Sequence, residues 1–443
     1  MLVPISCDNF LDIRNAGFRE YARHFAEIEK QAIHIIESYG LSFQVNQHIS
    51  EVRTHALKRE LAARGVEISN NGHSIHVNWL SGACVACRTG NGSYTTFASL
   101  KCHRDCFFCF NQNQENYHYF QDHTRDLRLE ASELITSSGE LSHVAITGGE
   151  PLLHKEATVA FFSEIHKKRP SVHSRLYTAG DHFGRSMAAE LQHAGLKEIR
   201  FSIKIDDPTE RQSRVLNRIA MAKDYIPRVI VEMPVIPGSL KVMLDLFDEF
   251  ERIGLDGVNL LELCFPLTNA EAFRERGLLL KYPPYQVFYN YWYAGGLAIA
   301  GSEEVCLELM LRSLERGHSF GMHYCSLENK HTGQVFQQNQ YIPIEPVMYR
   351  SSRDFFLKSA KIFGKDEIRS TMKILESKRK AFRIDEGLEF IEFHPKTIDD
   401  LEDDSQEVCL SYFIADRNEA DRLSLVEVKL NVTTPKTFSF SDI

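Results

Sequence analysis

Three cysteines in one short loop constrain this chain more than any other feature. They stand at Cys102, Cys106 and Cys109 in a Cys-x3-Cys-x2-Cys spacing, with no fourth cysteine nearby. A cubane iron–sulfur cluster presents four irons, and ordinary clusters give each one a cysteine thiolate. Three local thiolates therefore point to a cluster with one iron open to another ligand, a place for chemistry rather than storage. Two other readings compete. Zinc takes four ligands, often in two pairs, and Cys84 with Cys87 could supply one pair with His103 joining. A structural disulfide is disfavoured, because Met1-Leu-Val-Pro-Ile-Ser-Cys-Asp8 lacks the basic stretch and apolar core of a signal peptide. Zinc explains neither the glycine-rich segment nor the repeating strands that follow.

The second signal is Gly148-Gly149-Glu150-Pro151, where the apolar run Val144, Ala145 and Ile146 ends abruptly. It reads as a buried strand breaking into a loop whose glycines let the backbone approach a ligand closely. In this order, about one β-α unit apart, the two motifs resemble those of the radical S-adenosylmethionine (SAM) superfamily. The resemblance implies that Cys102, Cys106 and Cys109 hold a 4Fe–4S cluster and that Gly148, Gly149, Glu150 and Pro151 bind the methionine ammonium of SAM. It implies that SAM chelates the open iron and is cleaved reductively to a 5′-deoxyadenosyl radical, which abstracts hydrogen from a substrate. It also places Phe108 near the adenine, Thr178-Ala-Gly-Asp181 near the ribose, Ser202 at the methionine carboxylate and Val235-Ile-Pro-Gly238 around the adenine. Lys204 is expected to pair with that carboxylate or with Glu232.

With 443 residues, 43% of them hydrophobic, the chain can bury a large core and more than one domain. Its net charge of −9, without a dense Lys/Arg block, argues against nucleic acid as a partner. No stretch reaches the roughly eighteen apolar residues a membrane span needs. Ten cysteines without an export signal suit a reducing cytoplasm.

Strand-like runs at 96–100, 143–147, 175–178, 198–205, 229–234 and 258–263 alternate with helical patterns such as 127–138, 157–168 and 240–253. Six strand–helix units predict an α/β fold: a partial (β/α)6 TIM-like barrel over 93–266, the radical SAM barrel of the resemblance. Active residues in such barrels sit at strand C-termini, where both motifs fall. Residues 1–92 read as a helical and hairpin module, with Asn70-Asn71-Gly72 at the hairpin turn. Residues 267–443 read as an α+β extension. There 354–363 and 368–382 look helical, 407–414 pairs with 423–432, 399–404 is an acidic loop, and 282–293 is strongly aromatic.

Strand 198–205 continues to Asp206, so Ser202, Lys204 and Asp206 should share a polar, lumen-facing side against Phe201, Ile203 and Ile205. Glu232 and Glu262 interrupt apolar strands and are expected to face the same cavity or to form an internal ion pair. Cys84 and Cys87 could anchor a second metal site with Cys264, Cys306 or Cys325. Cys325, in a polar segment, and Cys264 are candidate hydrogen-atom donors to a substrate radical. The substrate is expected to be a peptide or protein side chain. The alternatives are rearrangement or methylation of a small metabolite, and a non-catalytic iron–sulfur regulator. An electron donor such as flavodoxin or ferredoxin completes the scheme.

Overall fold

The computed structural model describes residues 2–443 apart from 46, 138, 285–295 and 418–421. Most of the aromatic stretch 282–293, with Ala294 and Gly295, lies outside the described residues. The chain divides into two compact units. The larger runs over residues 40–282 and resumes at 296–331; the smaller comprises 1–39 and 332–443.

The larger unit is a nine-stranded sheet. Its strands are β1 (Glu67–Ser69), β2 (Ser74–Val77), β3 (Ser93–Phe97), β4 (His143–Thr147), β5 (His173–Thr178), β6 (Glu198–Phe201), β7 (Arg228–Val235), β8 (Gly257–Glu262) and β9 (Gly321–Cys325). Their spatial order is β1-β2-β9-β8-β7-β6-β5-β4-β3. From β3 to β9 each neighbouring pair is parallel, and the β1–β2 hairpin adds antiparallel to β9. This is the expected α/β partial barrel, with a seventh parallel strand added.

Alternation builds the barrel. Leu176, Ile199, Phe201, Val231, Val258, Leu260, Met322 and Tyr324 belong to one buried apolar core. It also takes in Phe161, Phe162, Phe247 and Phe250 of the helices Lys155–Lys168 and Leu240–Ile253. The intervening residues Arg175, Tyr177, Glu198, Arg200, Glu232, Asn259 and His323 therefore line the lumen, because successive strand residues point to opposite faces. Two helix ends are readable in sequence: Asp126 Oδ1 accepts from Arg128 N and Leu129 N at the start of Leu127–Thr136, and Gly254, φ 71°, closes Leu240–Ile253.

The unit boundaries differ from 92/93 and 266/267, because the β1–β2 hairpin and β9 both belong to the barrel sheet. Strand β6 stops at Phe201 instead of reaching Ile205. The facing pattern beyond it still holds: Ile203 is buried with the core while Ser202 and Lys204 lie on the other side. The segment around Cys325, read as polar, is instead a core strand: Met322, His323 and Tyr324 are buried in β9.

The smaller unit is α+β, with a seven-stranded antiparallel sheet. Strands Val408–Arg417 and Leu423–Thr433 pair as expected. The helix predicted over 354–363 is instead the fully buried strand Leu357–Phe363. Its Lys358 and Lys361 are buried against Asp354 and Glu427. The helix predicted at 368–382 runs from Lys365 to Ser377, and Phe382 opens a strand.

Candidate active site at the C-terminal rim of the barrel

The chain leaves β3, buries Ala98 and Leu100, and turns into the cysteine loop. Cys102 is exposed, while Cys106 and Cys109 are half-buried, and all three are free thiols. A turn from Cys109 N to Cys106 O (2.9 Å) shapes the loop. Two residues inside it fasten it to neighbouring strand ends. His103 Nε2 lies 2.8 Å from Asp181 Oδ2, and the Arg104 guanidinium pairs with Asp181 (2.8 Å) and with both oxygens of Asp207 (2.9 and 2.8 Å). His103 Nε2 is thus held by Asp181.

Among the described residues, no group of three or more His, Cys, Asp or Glu side chains is gathered around a single ion position. A cubane cluster does not require such a group, because each thiolate takes a different iron. Three free thiols in one pinned loop therefore fit a cluster better than a lone metal ion. Burial pushes the Cys102 and Cys109 thiols up, so a bound metal must displace their protons.

After β4 the backbone packs directly onto the approach to the cysteine loop. Gly149 N donates to Ser99 O (3.1 Å) and Glu150 N to Lys101 O (2.9 Å). A Cβ at Gly149 would stand 2.0 Å from Lys101 O, so only glycine fits there. Gly148 has φ 95°, and its carbonyl accepts from Asn111 Nδ2 (2.5 Å). Both motifs are therefore one backbone assembly.

Glu150 is 2% exposed, and its carboxylate is turned inward. Oε1 accepts from Leu152 N (3.1 Å) and Thr178 Oγ1 (2.8 Å), and Oε2 accepts from Ala179 N (2.8 Å). Pro151 opens the 3-10 turn Pro151–Leu153, where its missing N–H costs nothing. Thr178 O accepts from Ser202 N (3.0 Å), and Lys204 Nζ donates to Ser202 Oγ (2.8 Å). Lys204 Nζ also sits 5.1 Å above the Phe108 ring, which is half-buried. Phe107, not Phe108, fills the core, against Phe273 and Arg276.

Comparison with known families decides the matter: residues 98–250 match the Radical SAM superfamily. That span, about a third of the chain, reads as a radical SAM domain. A curated relative from Methanocaldococcus jannaschii, provisionally named a glycyl-radical enzyme activating enzyme, is 26% identical over 373 residues, 78% of this chain and 93% of its own length. The GTP 3′,8-cyclase of Nautilia profundicola is 28% identical over 188 residues, 41% of this chain and 52% of that protein. Among solved structures, anSMEcpe with bound AdoMet and Cp18Cys peptide is 16% identical at a TM-score of 0.37, over 52% of this chain and 63% of that one. Streptococcus suis SuiB bound to the precursor peptide SuiA is 12% identical at a TM-score of 0.33, over 55% and 53%. The chain thus spans less than two thirds of either structure.

Other site residues differ from expectation. Lys204 does not meet Glu232, because Arg200, unremarked in the sequence, takes that carboxylate and also bonds Glu198 (2.6 Å). Glu262 does not share the lumen with Glu232. It follows Val258 and Leu260 on the core-facing side and pairs with Lys281 (3.0 Å) while accepting from Leu327 N (2.8 Å). Cys264 lies two residues past the end of β8, and Cys325 is the last residue of β9. Burial pushes Cys264 up to about 11 and Cys325 to about 12 against the pull of Lys330, so both keep their S–H at neutral pH. Cys306 is buried in the apolar core. Cys84 Sγ accepts from Arg200 Nη2 and Asn259 Nδ2.

Proposed function

We propose that this chain cleaves SAM reductively and takes hydrogen from a peptide or protein substrate. Cys102, Cys106 and Cys109 hold a 4Fe–4S cluster. Gly148 and Gly149 bring bare backbone to the methionine end of SAM, while Glu150, Pro151 and Thr178 fix that backbone. Ser202 and Lys204 face the carboxylate, and Phe108 offers a flat ring to the adenine. When bound, the reduced cluster and SAM supply a 5′-deoxyadenosyl radical. The protein's own work is to hold these groups in one geometry and limit water. Cys264 and Cys325, as un-ionised thiols, are suited to returning a hydrogen atom to a substrate radical.

The hydrogen-bonded sequence Glu150, Thr178, Ser202, Lys204 carries this reading, because it ties the ends of β4, β5 and β6 together beside the cysteine loop. Two facts favour a polypeptide substrate. The barrel sheet does not close on itself, since edge strands β1 and β3 are unpaired with each other. The Methanocaldococcus relative, whose name implies a protein target, matches over 93% of its length. The polar lumen around Arg200, Glu232 and Asn259 favours a small metabolite as the second reading. Among the described residues no helix is long and apolar enough to cross a membrane. Ten free thiols suit a reducing cytoplasm, where a flavodoxin or ferredoxin would supply electrons.

Anaerobic incubation with SAM and dithionite tests the reading. Wild type should release 5′-deoxyadenosine, and the Cys102/Cys106/Cys109→Ala variant should not. Absence of the nucleoside from iron-loaded wild type would overturn it. Deuterium transferred to deoxyadenosine from a labelled polypeptide pool, and not from a labelled metabolite pool, separates the two substrates.

A further inference from the structure

A second set of reactive groups lies in the lumen, away from the rim. The short helix Gly82–Cys87 carries Cys84 and Cys87 three residues apart, hence on one face. Helical geometry puts their Cα atoms about 5 Å apart, inside the range a disulfide spans. Cys84 Sγ lies 3.3 Å from Arg200 Nη2 and 3.4 Å from Asn259 Nδ2. Both donors are held from behind, Arg200 by Glu198 and Glu232, and Asn259 by Glu232 at 2.7 Å. A sulfur that receives two such donors is prepared to be an anion. The same guanidinium repels a metal ion at that sulfur, and among the described residues no three His, Cys, Asp or Glu side chains are gathered there so as to hold one ion. Cys84 is half-buried and Cys87 exposed, so a small reagent can reach the pair.

We propose that Cys84 and Cys87 form a redox-active dithiol in the barrel lumen, with Cys84 the attacking thiolate and Cys87 the resolving thiol toward a low-molecular-weight disulfide. Cys84 attacks one sulfur of that disulfide, forming a mixed disulfide and releasing the first thiolate. Cys87 then loses its proton, attacks Cys84 Sγ, and releases the second. Two protein thiols are oxidised and one disulfide is reduced to two thiols, so electrons balance.

The electrostatics agree with this division of roles. Burial pushes the Cys84 thiol up, but Arg200 and then His323 outweigh it and bring it to about 6. Burial and the charge of Cys84 push Cys87 up, against Arg175 and Arg200. The groups that act on the pair include Arg175 and Tyr177 from β5, Arg200 from β6, Glu232 from β7, Asn259 from β8, and His323 and Cys325 from β9. None of this depends on SAM or on the cluster.

Cys84 and Cys87 are the cysteines of tryptic peptide 65–88, so their state can be read without interference from the others. The full chain is equilibrated anaerobically in buffers of dithiothreitol and its cyclic disulfide, acid-quenched, alkylated and digested. The peptide should pass from doubly alkylated to an internal disulfide, lighter by two hydrogens, along a single two-electron curve. In the reduced protein at pH 7, Cys84 should alkylate roughly tenfold faster than Cys87 once thiolate fraction and nucleophilicity are both counted. Arg200→Met should erase that difference, and because it is compared with Cys87 in the same molecules, a folding defect would be seen separately by circular dichroism. The proposal fails if peptide 65–88 stays doubly alkylated across the whole range. It fails equally if bound zinc or iron protects both cysteines in the Cys102/Cys106/Cys109→Ala variant.

Discussion

Thr178 Oγ1 donates a 2.8 Å hydrogen bond to Glu150 Oε1, joining the loop after β4 to the end of β5. Both residues are almost fully buried, at 5% and 2% exposure, so the bond is made in a site that water does not repair. The acidic residue of the glycine-rich motif therefore acts on the backbone around it.

Thr178→Val keeps the shape of the side chain and removes this donor. The cost is expected to be about 1–3 kcal/mol in urea unfolding, the price of leaving a buried acceptor short of a partner. Affinity for SAM, read by equilibrium dialysis of the cluster-loaded protein, should fall with it. Thr178→Ser should recover most of both losses. Equal losses for Ser and Val would mean that the methyl group matters and the hydroxyl does not.

Gly149→Ala tests the backbone assembly itself. The new Cβ would collide with the Lys101 carbonyl, which belongs to the chain leading into Cys102. Overpacking against backbone costs about 1–3 kcal/mol or forces a shift. Iron and sulfide per chain after reconstitution should drop as well, because Lys101 adjoins Cys102. Wild-type loading and stability in this variant would show that the two loops move independently.

Much of this site was legible in the sequence because spacing constrains chemistry locally. Three thiols within eight residues, and two glycines ending an apolar run, retain their meaning whatever the distant fold. Barrel elements are legible where the local pattern is strong: His143–Thr147 carries a short apolar run, and Leu240–Ile253 keeps a helical period that buries Met243, Phe247 and Phe250. What failed depended on partners far away in sequence. Arg200 looks like an ordinary strand residue until Glu198 and Glu232 appear beside it. Arg104 looks like loop filler until Asp181 and Asp207 meet it. Leu357–Phe363 contains two lysines, buried against Asp354 and Glu427, so an apolar strand pattern is not visible there.

Arg104 is expected to set how well the cysteine loop is held. Its side chain is 5% exposed and bridges Asp181 and Asp207. Arg104→Met removes the buried cation between them and leaves Asp181 to His103 (2.8 Å) and Arg218 (4.0 Å) and Asp207 to Arg211 (3.8 Å), which should cost about 1–3 kcal/mol. At limiting iron, cluster incorporation should fall although all three cysteines remain. Ultraviolet–visible absorbance with iron counting checks it, and unchanged loading would assign the loop's order to other contacts.

Glu198 gives the barrel floor a defined response to acid. Burial raises its carboxyl, but the Arg200 guanidinium outweighs this, with hydrogen bonds from His173 and Ser81 adding to the pull, and the group sits well below the usual carboxylate range. The contacts are Arg200 Nε at 2.6 Å, Ser81 Oγ at 2.6 Å and His173 Nε2 at 3.1 Å. A carboxyl depressed in the folded state contributes stability that is fully present above its unfolded pKa, about 4.3 for glutamate. That contribution is lost as pH falls from there toward the folded value. Glu198→Gln keeps the size and removes the charge, so Arg200 loses one of its two carboxylates. At pH 7 the variant should be less stable than wild type by about 3 kcal/mol. Below about pH 4.3 the gap should narrow steadily, because wild type is then losing what the variant never had. Urea midpoints measured from pH 7 to pH 3 on both proteins give the comparison directly. A gap that stays constant down to pH 3 would mean that the ion pair with Arg200 does not set the titration of this group.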